Sequence, residues 1–343
     1  MALPLVVVLG SENVSVEQDI LDSIATVIGT DPHQTRHVPD EIASRVSAVS
    51  AWHTARVDRE LLERMKNCKI VVRCGAGYDN VDAQAAGQLG IAVSNAPAYG
   101  TEEVADSAMC LILNLHRRTL HLERCLREGK MGDGGVECQL REATGARRIR
   151  GKVLGLVGLG RIGTAVALRA KPFGFDIVCY DPFLLEGIEK AVGVRRVYCL
   201  EELLSQSDCV SLHCYLNDDN RHMINEKTLG YMKPGAFIVN TARGGLIDEN
   251  ALAEALKSGH VAAAALDVQE KEPFDSKSSS LGQAPNVICT PHVAWYSDCA
   301  WPDCRKFTAE EIGRGLVGTS PFTSGLRSWV NKESYEDQGR WTC

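Results

Sequence analysis

Two stretches far apart in the chain carry residue types that do chemistry. In the first, Val157-Gly158-Leu159-Gly160-Arg161-Ile162-Gly163, a Gly-x-Gly-x-x-Gly spacing follows an apolar run and opens a helical pattern. Gly158 permits a tight turn, Gly160 lets the backbone approach a pyrophosphate, and Gly163 lets the helix pack closely on the strand. The unpaired amides and dipole at the helix start, over Arg161, Ile162 and Gly163, favour a bound anion. Asp181 lies 23 residues after Gly158 and ends the next strand pattern. A carboxylate there accepts from ribose hydroxyls and repels a 2′-phosphate, so the spacing predicts NAD rather than NADP.

The second stretch, Cys289-Thr290-Pro291-His292-Val293-Ala294-Trp295, sets a histidine just past a strand-like run. A carboxylate beside an imidazole fixes its tautomer and favours its charged form, which suits a group exchanging protons near neutrality. Glu272, in a loop before Pro273, is the candidate partner. Arg243, in Asn240-Thr241-Ala242-Arg243-Gly244-Gly245, follows another strand pattern. It therefore sits at the carboxyl edge of a sheet, where open α/β sheets place ligands. Its guanidinium either forks onto a carboxylate or joins a structural ion pair. His33, His37, His121 and His260 have no such setting and read as surface or loop residues, while His213 and His222 stay ambiguous. Of thirteen cysteines none forms a Cys-x-x-Cys pair, and Cys110, Cys179, Cys209 and Cys289 lie in apolar runs. They read as free thiols, with no disulfide framework and no metal site.

Such residues need elements that deliver them to one edge. Short Val/Ile-rich runs alternate with helical patterns, as in parallel sheets with crossover helices. Strands are expected at Leu5–Leu9, 48–52, Ile70–Arg73 and 92–93, with helices at 16–28 and 59–66. A long helix is expected over 101–129, capped by Thr101, with Val104, Ala108, Leu111, Ile112 and Leu115 on one face. That face serves core packing or a second subunit equally well. The Gly-rich, then charged, stretch from Met131 to Gly145 defies assignment. A second α/β set follows at Val153–Val157, Asp176–Tyr180, 209–213, Ala236–Asn240, 263–267 and 286–290. A helix at 306–316 precedes polar sequence expected to fray.

The 343 residues suit two domains, and 45% apolar with 24% charged residues excludes global disorder. A net charge of −7 without a basic run gives no support to direct nucleic-acid binding. No segment approaches the roughly 18 apolar residues of a membrane span, and the apolar N-terminus fits a buried strand better than a secretory leader. The composition reads as intracellular and reduced.

Asn240-Thr241-Ala242-Arg243-Gly244, Glu272 and His292 behind the glycine cradle resemble the D-isomer-specific 2-hydroxyacid dehydrogenase family, from about residue 5 to 332. The resemblance implies an α/β fold of two Rossmann- or flavodoxin-like domains with parallel sheets. The NAD domain (98–303) would be inserted into a discontinuous substrate domain (1–97 and 304–343), with a homodimer built on helix 101–129. It implies that Arg243 holds the carboxylate of a small 2-keto or 2-hydroxy acid while His292, oriented by Glu272, acts as acid/base. Arg73, in Val72-Arg73-Cys74-Gly75-Ala76, would point at substrate. Cys214, Asn217, Thr241, Ala242, Arg243, Asp267 and His292 would join the cradle and Asp181 around the cofactor, Asp267 facing the carboxamide.

Within that family the chain is most similar to the C-terminal-binding protein group of transcriptional corepressors. His213-Cys214-Tyr215-Leu216-Asn217 stands where metabolic members have His-x-Pro-Leu-Thr, and Val293-Ala294-Trp295 follows His292 where they have Gly-Gly. Arg147-Arg148-Ile149-Arg150-Gly151, Gly174-Phe175 and Tyr180-Asp181-Pro182 also match the group. In that group the counterpart of Trp295 lines the substrate pocket, and the N-terminal domain grips Pro-x-Asp-Leu-Ser peptides of repressors. The resemblance thus implies an NAD(H)-dependent corepressor with weak 2-keto acid reductase activity, resident in the nucleus, with the cytoplasm also open. The alternative is a metabolic NAD-dependent dehydrogenase in which Trp295 only shapes the pocket. Ala76 replaces a serine common in the group, and Ile28 is bulkier than its usual groove residue.

Overall fold

The computed structural model describes residues 2–32, 38–130 and 135–341. His33, His37 and the first part of the Gly-rich stretch (131–134) lie outside them. The chain forms two compact units, Met1–Gly100 with Ser297–Cys343, and Thr101–Tyr296.

The first unit runs β1 (Leu5–Leu9), α1 (Ser15–Leu21), β2 (Thr26–Gly29), α2 (Asp40–Ala43), β3 (Val46–Ala51), α3 (Arg59–Arg64), β4 (Ile70–Arg73), α4 (Ala83–Gln88) and β5 (Ala92–Asn95). Its strands are parallel, in the order β2-β1-β3-β4-β5. Alternate residues of a strand face opposite ways. Leu5, Val7 and Leu9 pack with Leu61, Leu62, Ala85 and Ala86 of α3 and α4. Val6 and Val8 pack with Leu21, Ala309 and Ile312 on the other face. Coverage on both faces explains why β1 is apolar throughout.

The second unit runs α5 (Thr101–Arg117), α6 (Thr119–Arg127), α7 (Gly135–Ala143), β6 (Val153–Val157), α8 (Arg161–Ala170), β7 (Asp176–Tyr180), α9 (Ile188–Val192), β8 (Arg195–Val197), α10 (Leu200–Gln206), β9 (Cys209–Leu212), α11 (Glu226–Leu229), β10 (Ala236–Asn240), α12 (Glu249–Lys257), β11 (Val261–Leu266) and β12 (Val287–Cys289). Seven parallel strands lie in the order β12-β11-β10-β9-β6-β7-β8. The chain builds outward from β6 to β8, then crosses to the other side of β6 for β9 to β12. This makes a topological switch point between β6 and β9, where doubly wound sheets bind ligands. Helices α5 and α8 cover one face through Ala105, Ile112 and Val166, and α10 to α12 cover the other through Leu204, Leu229 and Leu252.

Helix α13 (Ala300–Val317) returns the chain to the first unit. Its Arg305 meets Glu17 of α1 at 2.5 Å with both side chains buried, and donates to the Asn13 carbonyl at 2.8 Å. The buried Glu311 carboxylate accepts from Ser94 Oγ (2.9 Å) and from the amides of Arg327 (2.8 Å) and Ser328 (3.1 Å).

Several expectations change. The helix expected at 16–28 stops at Leu21, and Thr26-Val27-Ile28 instead pairs with β1 as a β-branched strand. Strand β8 escaped notice because two of its three residues are arginine. The helix expected over 101–129 is two helices. Arg118 turns left-handed (φ 55°), and the His116 carbonyl accepts from the Arg147 amide (2.7 Å). Helix α13 starts before 306, since Pro302 in the first turn lacks only an amide that has no helical partner. A unit boundary at 303/304 would therefore cut that helix. The segment expected to fray is docked as far as Trp341, which is buried. Val330 donates to Val93 O, and the Asn331 side chain accepts from the Val93 amide of β5 and donates to Ala83 O at the start of α4 and to Ile91 O just before β5. The twelve described cysteines are free thiols. No helix among the described residues is long and apolar enough to cross a membrane.

Candidate cofactor and acid/base site

Because the strands of the second unit are parallel, residues that follow each strand gather at one edge of its sheet. Gly158 to Gly163 follow β6, Asp181 follows β7, Cys214 and Asn217 follow β9, Thr241 to Arg243 follow β10, Asp267 follows β11 and His292 follows β12.

The glycine turn is built for contact on one side and openness on the other. A Cβ on Gly163 would lie 2.1 Å from the Gly158 carbonyl, whereas one on Gly160 would meet nothing within 4 Å. Asp181 accepts from the Leu159 amide and the Phe183 amide, each at 2.9 Å, so its carboxylate is fixed beside the turn. Just past β9 and against the glycine turn, both ring nitrogens of His213 are buried without a hydrogen-bond partner, and burial pushes the imidazole down to about 4. Thr241 Oγ1 is also buried and unpartnered. Open space above Gly160 and unsatisfied polar atoms along the same edge fit a dinucleotide.

The β9 loop is set by a reciprocal pair: Asn217 donates to Asn220 Oδ1 (2.8 Å) and accepts from the Asn220 amide (3.0 Å). The Cys214 thiol is pushed up to about 11 by burial, which keeps it protonated and unreactive. After β10, Asn240 braces the turn, accepting from the Ala242 amide (3.0 Å) and donating to Arg243 O (2.8 Å). Arg243 Nη1 donates to Ala242 O at 2.7 Å. A Cβ on Gly244 would sit 2.0 Å from the Gln269 carbonyl carbon, so this turn touches the loop that carries Glu272.

His292 Nδ1 lies 2.8 Å from Glu272 Oε2, and the Gln269 amide donates to the other carboxylate oxygen at 3.2 Å. His292 is left-handed at φ 55°, a conformation that non-glycine residues avoid at a cost of about 1–3 kcal/mol. Asp267 holds it there. Its backbone carbonyl accepts from the His292 amide (2.8 Å), and its buried carboxylate accepts from Thr290 Oγ1 (2.6 Å) and the amides of Val293 (3.1 Å) and Ala294 (2.9 Å). Asp267 thus anchors the histidine loop, a task its sequence context did not reveal. Trp295 Nε1 donates to His292 O at 2.8 Å, bracing the same loop.

Sequence reasoning also missed Gln269, buried and donating to Leu266 O (3.1 Å), and a second pair, His222 Nε2 to Glu270 Oε1 at 2.5 Å. Neither had a signal, since each depends on which loops meet. Glu249, which accepts from the Glu270 amide (2.7 Å), is raised by burial and by the charges of Glu270 and Glu272, against that amide. Arg73 belongs to the first unit, at the end of β4. It is buried, donates to Cys74 O (3.1 Å), and folds over Gly75, where a Cβ would lie 1.5 Å from Nη1.

A doubly wound sheet with a glycine cradle at its switch point and a carboxylate-paired histidine on the same edge defines an NAD-binding α/β protein of dehydrogenase type. Residues 109–294 match the NAD-binding domain of the D-isomer specific 2-hydroxyacid dehydrogenases, and the chain belongs to that family. It is 44% identical over 333 residues to C-terminal-binding protein 1 of Caenorhabditis elegans, covering 96% of this chain and 45% of that protein. The chain thus spans about half the length of that relative. It is 38% identical to the glyoxylate reductase of Thermococcus litoralis, covering 81% of each. Among solved structures, the D-lactate dehydrogenase of Aquifex aeolicus with NAD and lactic acid superposes with a TM-score of 0.82 at 28% identity, covering 95% of this chain and 99% of that one. NAD is the cofactor of the second unit.

Proposed function

We propose that this chain is an NAD(H)-dependent transcriptional corepressor that retains the chemistry of a 2-keto acid reductase. The reductase half rests on one observation, the 2.8 Å contact between His292 Nδ1 and Glu272. Bound NADH would supply the hydride and leave as NAD+. The cradle residues Gly158, Gly160, Arg161, Ile162 and Gly163 hold its pyrophosphate, and Asp181 its ribose. Cys214, Asn217, Thr241, Ala242, Arg243, Asp267 and His292 line the rest of its site. Arg243 binds the carboxylate of a small 2-keto acid, which fixes the carbonyl. With Nδ1 committed to Glu272, His292 delivers a proton from Nε2 to the carbonyl oxygen, and Glu272 stabilises the charged ring before that transfer. Arg73 and Trp295 are assigned to substrate, to be read in KM.

The corepressor half is supported by the 44% identity to a C-terminal-binding protein. The first sheet adds a physical route: β2 is an edge strand, with half-buried Ile28 on it and Ile42 packed on the same core. Such an edge takes an extended Pro-x-Asp-Leu-Ser peptide by adding a strand. Nuclear residence and a homodimer centred on α5 and α6 belong to the same proposal. Leu120 and Leu126 on α6 are exposed, as an interface requires.

A labelled Pro-x-Asp-Leu-Ser peptide titrated with and without NADH, against a scrambled control, tests this reading. Specific binding supports corepression, and NADH dependence assigns the cofactor a gating role. Binding no better than the scrambled peptide returns the chain to the metabolic reading, which the glyoxylate reductase relative favours, and a 2-keto acid panel then identifies the substrate.

A further inference from the structure

Outside the dinucleotide edge, helices α6 and α7 bring three different metal-ligating groups together. His121 and Cys125 are four residues apart on α6, so they share one face of the helix. Glu142 reaches them from α7. Cys125 Sγ lies 3.5 Å from His121 Nε2 and 3.4 Å from Glu142 Oε2, and those latter two atoms are 3.8 Å apart. All three donors lie within 4.8 Å of one another. Tetrahedral zinc with bonds of about 2.0–2.3 Å spaces its ligand atoms roughly 3.3–3.8 Å apart. The three donors already stand at that spacing.

We propose that α6 and α7 form a divalent transition-metal site, zinc by its donor set, ligated by His121, Cys125 and Glu142. Imidazole, thiolate and carboxylate together suit zinc, whereas calcium and magnesium take oxygen alone. Binding releases the Cys125 thiol proton, and the resulting thiolate and carboxylate neutralise the dication. The site is partly sheltered: Cys125 is buried, and the Glu142 side chain is 19% exposed against 40% for His121. The other Glu142 oxygen is held by Arg141 Nε at 3.1 Å, which orients the carboxylate from outside. Arg118, Arg124 and Lys130 lie near His121, and their charge opposes a cation there, so the Cys125 thiolate and the Glu142 carboxylate supply the compensating charge. Three protein ligands leave a fourth position for water. With ligands from two helices and none from the cofactor edge, the metal pins α7 to α6.

The 343-residue chain, stripped with chelator, is titrated with Zn²⁺ alone and with Co²⁺ alone. The expected result is one equivalent of Co²⁺ with a thiolate charge-transfer band, displaced by Zn²⁺, and a Zn²⁺-dependent rise in melting temperature. Cys125→Ser abolishes the band, and His121→Ala and Glu142→Gln each weaken binding at least about tenfold. Cys110→Ser and Cys199→Ser, which alter exposed thiols elsewhere, leave it unchanged. NADH binding checks that every variant is folded. A wild-type titration without a charge-transfer band, or a band that persists in folded Cys125→Ser, overturns the proposal and leaves the three groups a hydrogen-bonded cluster.

Discussion

At the residue scale the second unit holds its histidines in opposite electrostatic settings. His292 faces a carboxylate, while His213 is sealed against the glycine turn with its pKa pushed down to about 4 by burial. For His213 the folded value lies below the unfolded value of about 6.5. The stability it preserves is therefore intact above pH 6.5 and is lost as pH falls from 6.5 to 4. The loss amounts to about 3 kcal/mol at 1.36 kcal/mol per unit. Denaturant titrations at pH 7.5 and 4 should show a shallower acid loss in His213→Gln than in the parent. Glu272→Gln should lower 2-keto acid turnover by about a hundredfold, with NADH affinity unchanged, because only orientation and charge at His292 are removed. Steady-state kinetics beside an NADH fluorescence titration read the two separately.

At the element scale, the glycine turn separates folding from binding. Gly160→Ala adds a methyl into open space, so the variant should melt within about 0.5 kcal/mol of the parent while NADH affinity falls at least tenfold. Gly163→Ala drives its methyl into the Gly158 carbonyl and should destabilise the fold itself, which thermal melts distinguish. On the other unit, Glu17→Ala leaves the Arg305 charge buried without its counter-ion, at an expected cost of about 3–5 kcal/mol in chemical denaturation. The cradle, Asp181 and the strands that bear them were legible because period and punctuation are local properties: Val153–Val157 followed by three glycines admits few structures. What was illegible depends on distant partners. Strand β2 exists because β1 pairs with it, α5 ends where the Arg147 amide takes its carbonyl, and Asp267 matters for the loop that β12 feeds beside it. The segment after α13 looked frayed by composition, yet Asn331 and Trp341 each find a built place on the first unit.

At the scale of the whole molecule, the first unit is assembled from both ends of the described chain, with the second unit lying between them in sequence. Its sheet presents Val6, Val8, Ala48, Ile70, Val72 and Ala92 on a face that Ala309, Ile312 and Trp341 help to cover. On a ribosome, the strands bearing that face emerge some two hundred residues before the helix and tryptophan that cover it. Residues 101–296 are complete sooner and carry clusters of their own. A chain halted at 296 should therefore yield a protease-resistant fragment beginning near 101, while its first hundred residues are digested or recruit holdase chaperones. A chain extended through Trp341 should regain resistance across both. A discontinuous domain of this kind sets a clock on synthesis: the newborn chain carries an unfinished apolar sheet until α13 and Trp341 have followed the second unit out.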